Sequence, residues 1–316
     1  MKKDFWKKLN KPIIGLAPME GYSDSPFRRI CKRINPDIIT VTEFTSADGI
    51  YHNAKQLMKK LSFEKEEHPI IAQIFGKNMD TFIAAAKVCE DMGFDGIDIN
   101  MGCPAKKVVK SEHGVALRRN LPLAFKLIET LANATSLPVS VKTRLGWDDA
   151  SDLTEFGKGA ENAGADMICI HGRTYIEPYN VPAQWEPVYE MKRNISIPVL
   201  GNGGILNVQD GLEKIGNLDG FLIGQATFGN PWAFLEKSRE ISFEEKLPII
   251  KLHSQMLIEQ KGEYVGTREI RKHLVSYCRG FPGAKQFRPQ LVRVESYKQI
   301  CDVLDRIAEA VEPMFH

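Results

Sequence analysis

Short apolar runs rich in β-branched residues recur along the chain with helix-like segments between them. Their spacing is roughly 30 residues, the length of one βα unit. The runs lie at 13–18, 38–42, 69–74, 95–100, 138–143, 166–170, 197–201 and 219–223. Each is nearly continuous rather than alternating, as in strands covered on both faces. Stretches such as Thr81–Met92 and Leu123–Ala132 read as helices, and Gly93, Gly164 and Gly216 stand where a helix ends before the next strand. Eight such units in succession predict an α/β fold closed into a (β/α)8 TIM barrel. A doubly wound sheet would call for a G-x-G-x-x-G after an early strand, and the sequence has none.

Beyond residue 240 the pattern changes. Lys246–Gln260, Thr267–Arg279 and Ser296–Glu312 read as amphipathic helices with no strand between them, and Phe281-Pro282-Gly283 separates the second from the third. The expected organisation is a catalytic barrel over residues 1–240 and a small helical-bundle domain over 241–316.

Composition adds three constraints. At 43% hydrophobic and 26% charged, the chain is an ordinary globular sequence large enough for a sizeable core. No apolar run approaches the roughly 20 residues that cross a bilayer. The stretch after the basic Met1–Lys11 segment is too short for a signal sequence, so a cytoplasmic protein with no membrane association is expected. Cysteines at 31, 89, 103, 169, 278 and 301 form no CxxC pair and no Cys/His cluster at zinc spacing. No metal is therefore expected, and most of these thiols read as small buried hydrophobes. Residues 246–316 carry 12 Lys/Arg against 8 Asp/Glu, so a polyanionic partner fits the C-terminal part. No obligate protein partner is evident.

Active sites of such barrels lie at the C-terminal strand ends. There the sequence places Pro18-Met19-Glu20-Gly21, Gln73, Asn100-Met101-Gly102-Cys103-Pro104, Lys142 with Arg144, His171-Gly172-Arg173-Thr174, Asn202-Gly203-Gly204 and Gly224-Gln225. Polar residues gather at this rim, and the strand interiors are expected to be apolar. Glycines after the last two strands suit phosphate binding through backbone N–H groups, or are simply tight turns. Gln73 offers a donor and an acceptor to a pyrimidine-like ring edge. Lys142 either stabilises negative charge on a reduced ring or is a salt-bridged barrel lysine. Together these are the needs of a flavin mononucleotide. Cys103, in a loop between Gly102 and Pro104, is placed for chemistry as a nucleophile or a proton donor. A nucleophile wants an adjacent base, and the nearest in sequence is His113; an acid needs only to keep its proton.

On these residues the chain resembles the tRNA-dihydrouridine synthase family. The matching segments are Ala17–Gly21 with Asp24, Pro26, Phe27 and Arg28; Gln73-Ile74-Phe75-Gly76; and Asp98–Pro104 with Lys107-Val108. They continue through Gly114–Leu117, Val141–Gly146, His171–Thr174, Asn202–Ile205 and Gly224, and the C-terminal part matches at Arg268–His273 and Pro282–Ala284. The resemblance implies a two-step reaction in which NADPH, or NADH, reduces FMN, and the reduced flavin passes a hydride to C6 of a uridine in tRNA. By the match, Cys103 protonates C5, and Pro18, Met19, Glu20, Gln73, Lys142, His171, Asn202, Gly203, Gly204, Gly224 and Gln225 bind FMN. Asn100 is implied to hold the uracil edge.

Lys107, Arg144, Arg173, Tyr175, Arg268, Arg271, Lys272, Lys285, Arg288 and Arg293 are candidate tRNA contacts. Tyr175 and Tyr179 either stack a base or pack the loop. Two positions depart from the family pattern: Gln225 stands where many members have Arg, and Gly204 where some have Asp. Arg173 is the cation expected to compensate. A barrel flavoenzyme acting on a free pyrimidine, of the dihydroorotate or dihydropyrimidine dehydrogenase kind, is the alternative reading, but it has no need of a basic helical domain. An idle RNA-binding barrel has no reason to keep Cys103, Lys142 and Gln73 convergent.

Overall fold

The apolar runs become parallel strands because each offers one face to a barrel lumen and the other to surrounding helices. The computed structural model describes residues 4–281 and 283–311, so Pro282 and Glu312 of the expected elements lie outside the described residues. The strands are β1 Ile13–Leu16, β2 Thr40–Val41, β3 Thr45–Ser46, β4 Ile70–Phe75, β5 Gly96–Met101, β6 Val139–Arg144, β7 Met167–His171, β8 Val199–Asn202 and β9 Gly220–Ile223. All pairings are parallel, in the order β1-β9-β8-β7-β6-β5-β4-β2, with β3 also on β4. A bridge between Gly15 and Ile39 closes the ring. Gly15 is required at this seam, since a Cβ there would lie 2.4 Å from Ile39 Cγ1 and 2.9 Å from its carbonyl oxygen.

The second strand position differs from the continuous 38–42 run read from sequence. Only Thr40–Val41 of it pairs as β2, because the Gln73 N–H that would extend the ladder instead donates to Thr42 Oγ1 at 2.9 Å, and pairing with β4 resumes at β3, past the end of the run. Eight positions around the ring nevertheless remain.

The helices of seven or more residues are α1 Ser25–Ile34, α2 Met79–Met92, α3 Leu121–Ala134, α4 Leu153–Asn162, α5 Glu186–Arg193, α6 Val208–Lys214, α7 Phe243–Lys261, α8 Glu263–Tyr277, α9 Ala284–Leu291 and α10 Tyr297–Val311. Outward strand residues such as Ile74, Ile99, Val141 and Ile170 form one core with Phe82, Leu127 and Phe156 of α2–α4. Gly93 ends α2 at φ +84°, and Gly164 and Gly216 take positive φ just past α4 and α6.

Inside the ring, Trp6 closes the N-terminal end against Ile13, Ile39, Ile71 and Met167. The interior is not wholly apolar, which corrects the sequence expectation. Gln73, Asp98 and Ser140 are buried there and satisfy one another by hydrogen bonds, the condition under which buried polar groups are tolerated.

Helices α7–α10 share their own apolar core, including Ile250, Leu257, Leu274, Leu291, Ile300 and Leu304. Helix α9 was not foreseen, since its internal Pro289 argues locally against a helix. The bundle docks on α1. Asp24 caps α1 by accepting from the Phe27 N–H at 3.2 Å and also accepts from Lys261 of α7 at 3.0 Å. Phe27 lies 5.6 Å and 5.3 Å from the rings of His253 and His273. No helix among the described residues is long and apolar enough to cross a membrane.

Candidate active site

The C-terminal strand ends surround a cavity of about 720 Å³. Its lining includes Pro18, Met19, Glu20, Asn100, Cys103, Lys142, Arg144, His171, Arg173, Asn202, Gly203, Gly204, Gly224 and Gln225. These fourteen candidates come from separate strand ends, brought together only by closure of the barrel. Among the described residues, no group of three or more His, Cys, Asp or Glu could hold a metal ion.

The floor is a hydrogen-bonded set centred on Asn202. Its Nδ2 donates to the Leu222 carbonyl at 2.8 Å, so its Oδ1 is the acceptor. That oxygen receives Lys142 Nζ at 3.0 Å and His171 Nδ1 at 3.1 Å. Burial, followed by the charges of Lys142, Arg144 and Arg173, holds His171 well below its ordinary value. The ring is therefore neutral. Burial also lowers Lys142, against which nearby Cys169 and Asp98 act.

Beside this floor the backbone turns at Gly203 and Gly204 with φ +108° and +68°, conformations that favour glycine. A Cβ on Gly203 would stand 3.1 Å from His171 Nε2, while one on Gly204 would meet only Ala183, at 3.8 Å. The turn thus leaves a side-chain-free concavity facing the cavity. Lys214 braces it from behind by donating to the Gly204 carbonyl at 3.0 Å, a role not read from the sequence.

Cys103 occupies the opposite rim, half-buried, on the loop after β5. Asn100 Oδ1 accepts from the N–H groups of Gly102 at 3.2 Å and Cys103 at 2.9 Å. Arg144 donates to the Gly102 carbonyl at 3.1 Å and to the Thr174 carbonyl at 2.8 Å, tying this loop to the one after β7. Gly114 must lack a side chain because a Cβ there would lie 2.8 Å from the Cys103 carbonyl oxygen. Burial raises the thiol above its usual value, with hydrogen bonding at Ala105 and the charge of Arg144 opposing. His113, the base considered from sequence, turns its ring to Phe75, at 5.5 Å.

Gln73 does not line the cavity. It is fully buried one layer down, with both ends of its amide engaged by Asp98 and Asn100. Tyr175 packs on Trp147 with ring centres 4.2 Å apart, whereas Tyr179 lines the cavity, 5.3 Å from the Arg144 guanidinium. Of the basic candidates, Lys272 comes to the rim, 5.0 Å over the Tyr22 ring. Arg271 spends its guanidinium on the Val294 carbonyl at 3.0 and 2.6 Å. Arg268 lies 3.6 Å over the Tyr264 ring. Lys107, Lys285, Arg288 and Arg293 are exposed. The wall formed by Tyr22 and Phe228, stacked at 3.9 Å, escaped the sequence reading because both lie a few residues past their strand ends.

The family model for dihydrouridine synthase (Dus) matches residues 15–312 of this chain. The chain is 36% identical over 303 residues to the probable tRNA-dihydrouridine synthase 1 of Synechocystis sp., covering 92% of this chain and 84% of that one. It is 36% identical over 295 residues to the probable tRNA-dihydrouridine synthase of Rickettsia bellii, covering 89% and 90%. Against tRNA-dihydrouridine synthase B of Pseudomonas aeruginosa the figures are 35% over 299 residues, 90% of each chain.

Proposed function

The chain belongs to the dihydrouridine synthase family, and from that premise we propose that it is an FMN-dependent oxidoreductase reducing the C5–C6 double bond of specific uridines in tRNA, with NADPH or NADH as reductant. The observation that carries this reading is Cys103, a thiol that burial keeps protonated, facing across one cavity a floor of Lys142, Asn202 and neutral His171. A general acid must hold its proton until it is used, and this thiol does.

The residues present fit FMN. The concavity at Gly203 and Gly204, with Gly224 beside it, gives a phosphate direct access to backbone. Arg173 brings positive charge next to that turn by way of His171. Lys142 and Asn202 lie where the ring would rest, and Met19 lines the cavity beside Gly224. When bound and reduced, FMN supplies the hydride that adds to C6 of the uracil. Cys103 then gives its proton to C5 from the other side of the base. Asn100 and Arg144 keep the Cys103 loop in place, and the stacked Tyr22 and Phe228 rings form one wall of the site.

The substrate half of the reading is supported by charge around the mouth. Lys272 from α8 and exposed Lys107 beyond Cys103 flank the cavity from different elements, as a polyanion bound across it requires. The target base must leave its stack to enter such a recess. Incubation with FMN, NADPH and unmodified tRNA, with mapping of dihydrouridine afterwards, tests the reading. A protein that cannot be loaded with FMN, or one that reduces free uracil and leaves tRNA untouched, would overturn it.

A further inference from the structure

Gln73, Asp98, Asn100 and Ser140 sit on three adjacent strands yet form one hydrogen-bonded line from the lumen to the Cys103 loop. Ser140 Oγ donates to Asp98 Oδ1 at 2.7 Å, and Gln73 Nε2 donates to Asp98 Oδ2 at 2.8 Å. Asn100 Nδ2 donates to Gln73 Oε1 at 2.9 Å. Asn100 Oδ1 then accepts the N–H groups of Gly102 and Cys103 at 3.2 and 2.9 Å. All four side chains are buried.

The direction of this line is set at both ends. A carboxylate only accepts, so Gln73 must turn its NH2 group toward Asp98. A backbone N–H only donates, so Asn100 must turn its carbonyl toward Cys103. Neither amide can rotate without placing like against like in an enclosed space, where an unmade hydrogen bond is costly. The orientation therefore follows from the two termini and not from how amide atoms are told apart. Asp98 itself stays below the cavity. The titratable side chains facing it among the described residues are Lys142 from β6 and Cys169 from β7.

We propose that Asp98 is a positioning residue for the proton-donating thiol, acting through the amides of Gln73 and Asn100 to fix the seat of Cys103. The proposal rests on Cys103 being that donor. It gives Asp98 a role that no direct contact with cofactor or base would reveal, and it adds a task for Gln73 to the flavin contact that the family resemblance implies. Burial pushes the Asp98 carboxyl up to about 6, while hydrogen bonds from Gln73 and Ser140 and the charge of Lys142 pull it down, so it is the accepting carboxylate at neutral pH.

The test exchanges acid and amide along the line in FMN-loaded enzyme. Gln73→Glu sets two carboxylates against each other once the proton between them is lost. Single-turnover dihydrouridine formation, started from enzyme whose flavin is already reduced, should then fall about a hundredfold on the alkaline side, with FMN occupancy measured in the same samples. It should recover at least about tenfold, relative to wild type, as pH falls and the two carboxyls share a proton. Adding Asp98→Asn supplies the missing donor, since the new amide gives to the introduced carboxylate and accepts from Ser140. That pair should return to within about fivefold of wild type and lose the pH dependence.

A Gln73→Glu enzyme with the wild-type rate and pH profile, or a pair no faster than Gln73→Glu, overturns the proposal. If Gln73→Glu does not fold or does not hold FMN, Asp98→Asn alone decides: a loss beyond about fiftyfold overturns the proposal, since charge rather than hydrogen-bond direction would then matter. The rate of Cys103 alkylation by iodoacetamide, which needs no turnover, should shift in Gln73→Glu and return in the pair. Failure of wild-type enzyme to modify tRNA would instead count against the proposed function.

Discussion

Arg173 Nη1 donates to Nε2 of His171 at 2.9 Å. Because Nδ1 of the same ring gives its hydrogen to Asn202 Oδ1, the imidazole is a neutral Nδ1–H tautomer with a lone pair turned to the guanidinium. The second donor of Arg173, Nε, is fixed on the Val181 carbonyl at 2.6 Å. The arginine is thus held beside the Gly203 turn in one orientation, in a site whose Gln225 brings no charge of its own.

Arg173→Ala should accordingly weaken FMN binding about tenfold, or about 1.4 kcal/mol, without changing which flavin is bound. Titration of apoprotein with FMN measures this. Unaltered affinity would show that the phosphate is neutralised elsewhere.

Gly203→Ala forces a side chain into φ +108° and to within 3.1 Å of His171 Nε2. The strain, about 1–3 kcal/mol, should appear as lost FMN occupancy, with the purified protein paler than wild type. Gly204→Ala meets only Ala183 at 3.8 Å, so its effect should come from φ +68° and from blocking the concavity. A cradle used for phosphate loses FMN in both variants; in a plain turn the milder Gly204→Ala, in the left-handed helical region with only Ala183 nearby, keeps it.

Cys103→Ala should leave FMN bound and reducible by NADPH while lowering dihydrouridine formation by about 10²–10⁴-fold. The thiol is raised by burial, so in wild type its proton is lost only on the alkaline side of the ordinary thiol range. The single-turnover rate should therefore hold steady through neutral pH and decline at alkaline pH. A mutant that still makes product at the normal rate would exclude the acid role.

His253 and His273 lie in the seam between α1 and the bundle, with rings 4.6 Å apart. Burial lowers His253 from 6.5 to about 4 and His273 well below 6.5. A base depressed in the folded state leaves the unfolded chain binding more protons between the two values. Stability is thus complete above about 6.5 and is lost as pH falls. For His253 the loss is about 3 kcal/mol by pH ~4. Glu43 and Asp98, raised mainly by burial to about 7 and about 6, act in the opposite sense over part of this window. The informative quantity is therefore the difference between wild type and His253→Leu. Urea unfolding at several pH values should show the variant losing less stability than wild type between pH ~6.5 and ~4.5. Equal slopes would mean that the seam opens before the histidine titrates.

What the sequence determined by itself was the order of elements and the identity of the rim. Continuous apolar runs at βα spacing can be satisfied only by strands covered on both faces. Glycines at Gly93, Gly203 and Gly204 mark backbone that other residues resist, so these positions were legible from local chemistry alone. Most of the residues named for the site line the cavity because a strand's C-terminal end defines the rim of any such barrel.

Depth was not legible. Alternation tells which face a side chain takes, but strand tilt and register decide its layer. Gln73 therefore fell one level below the cavity, opposite Asp98, and Asn100 turned its carbonyl back toward Cys103. Contacts between distant segments were likewise decided only in three dimensions. Tyr175 found Trp147, Arg271 found the Val294 carbonyl, and Lys272 reached Tyr22. A charge or ring in sequence carries no address; packing of α8 against α1 and of one loop against the next supplies it.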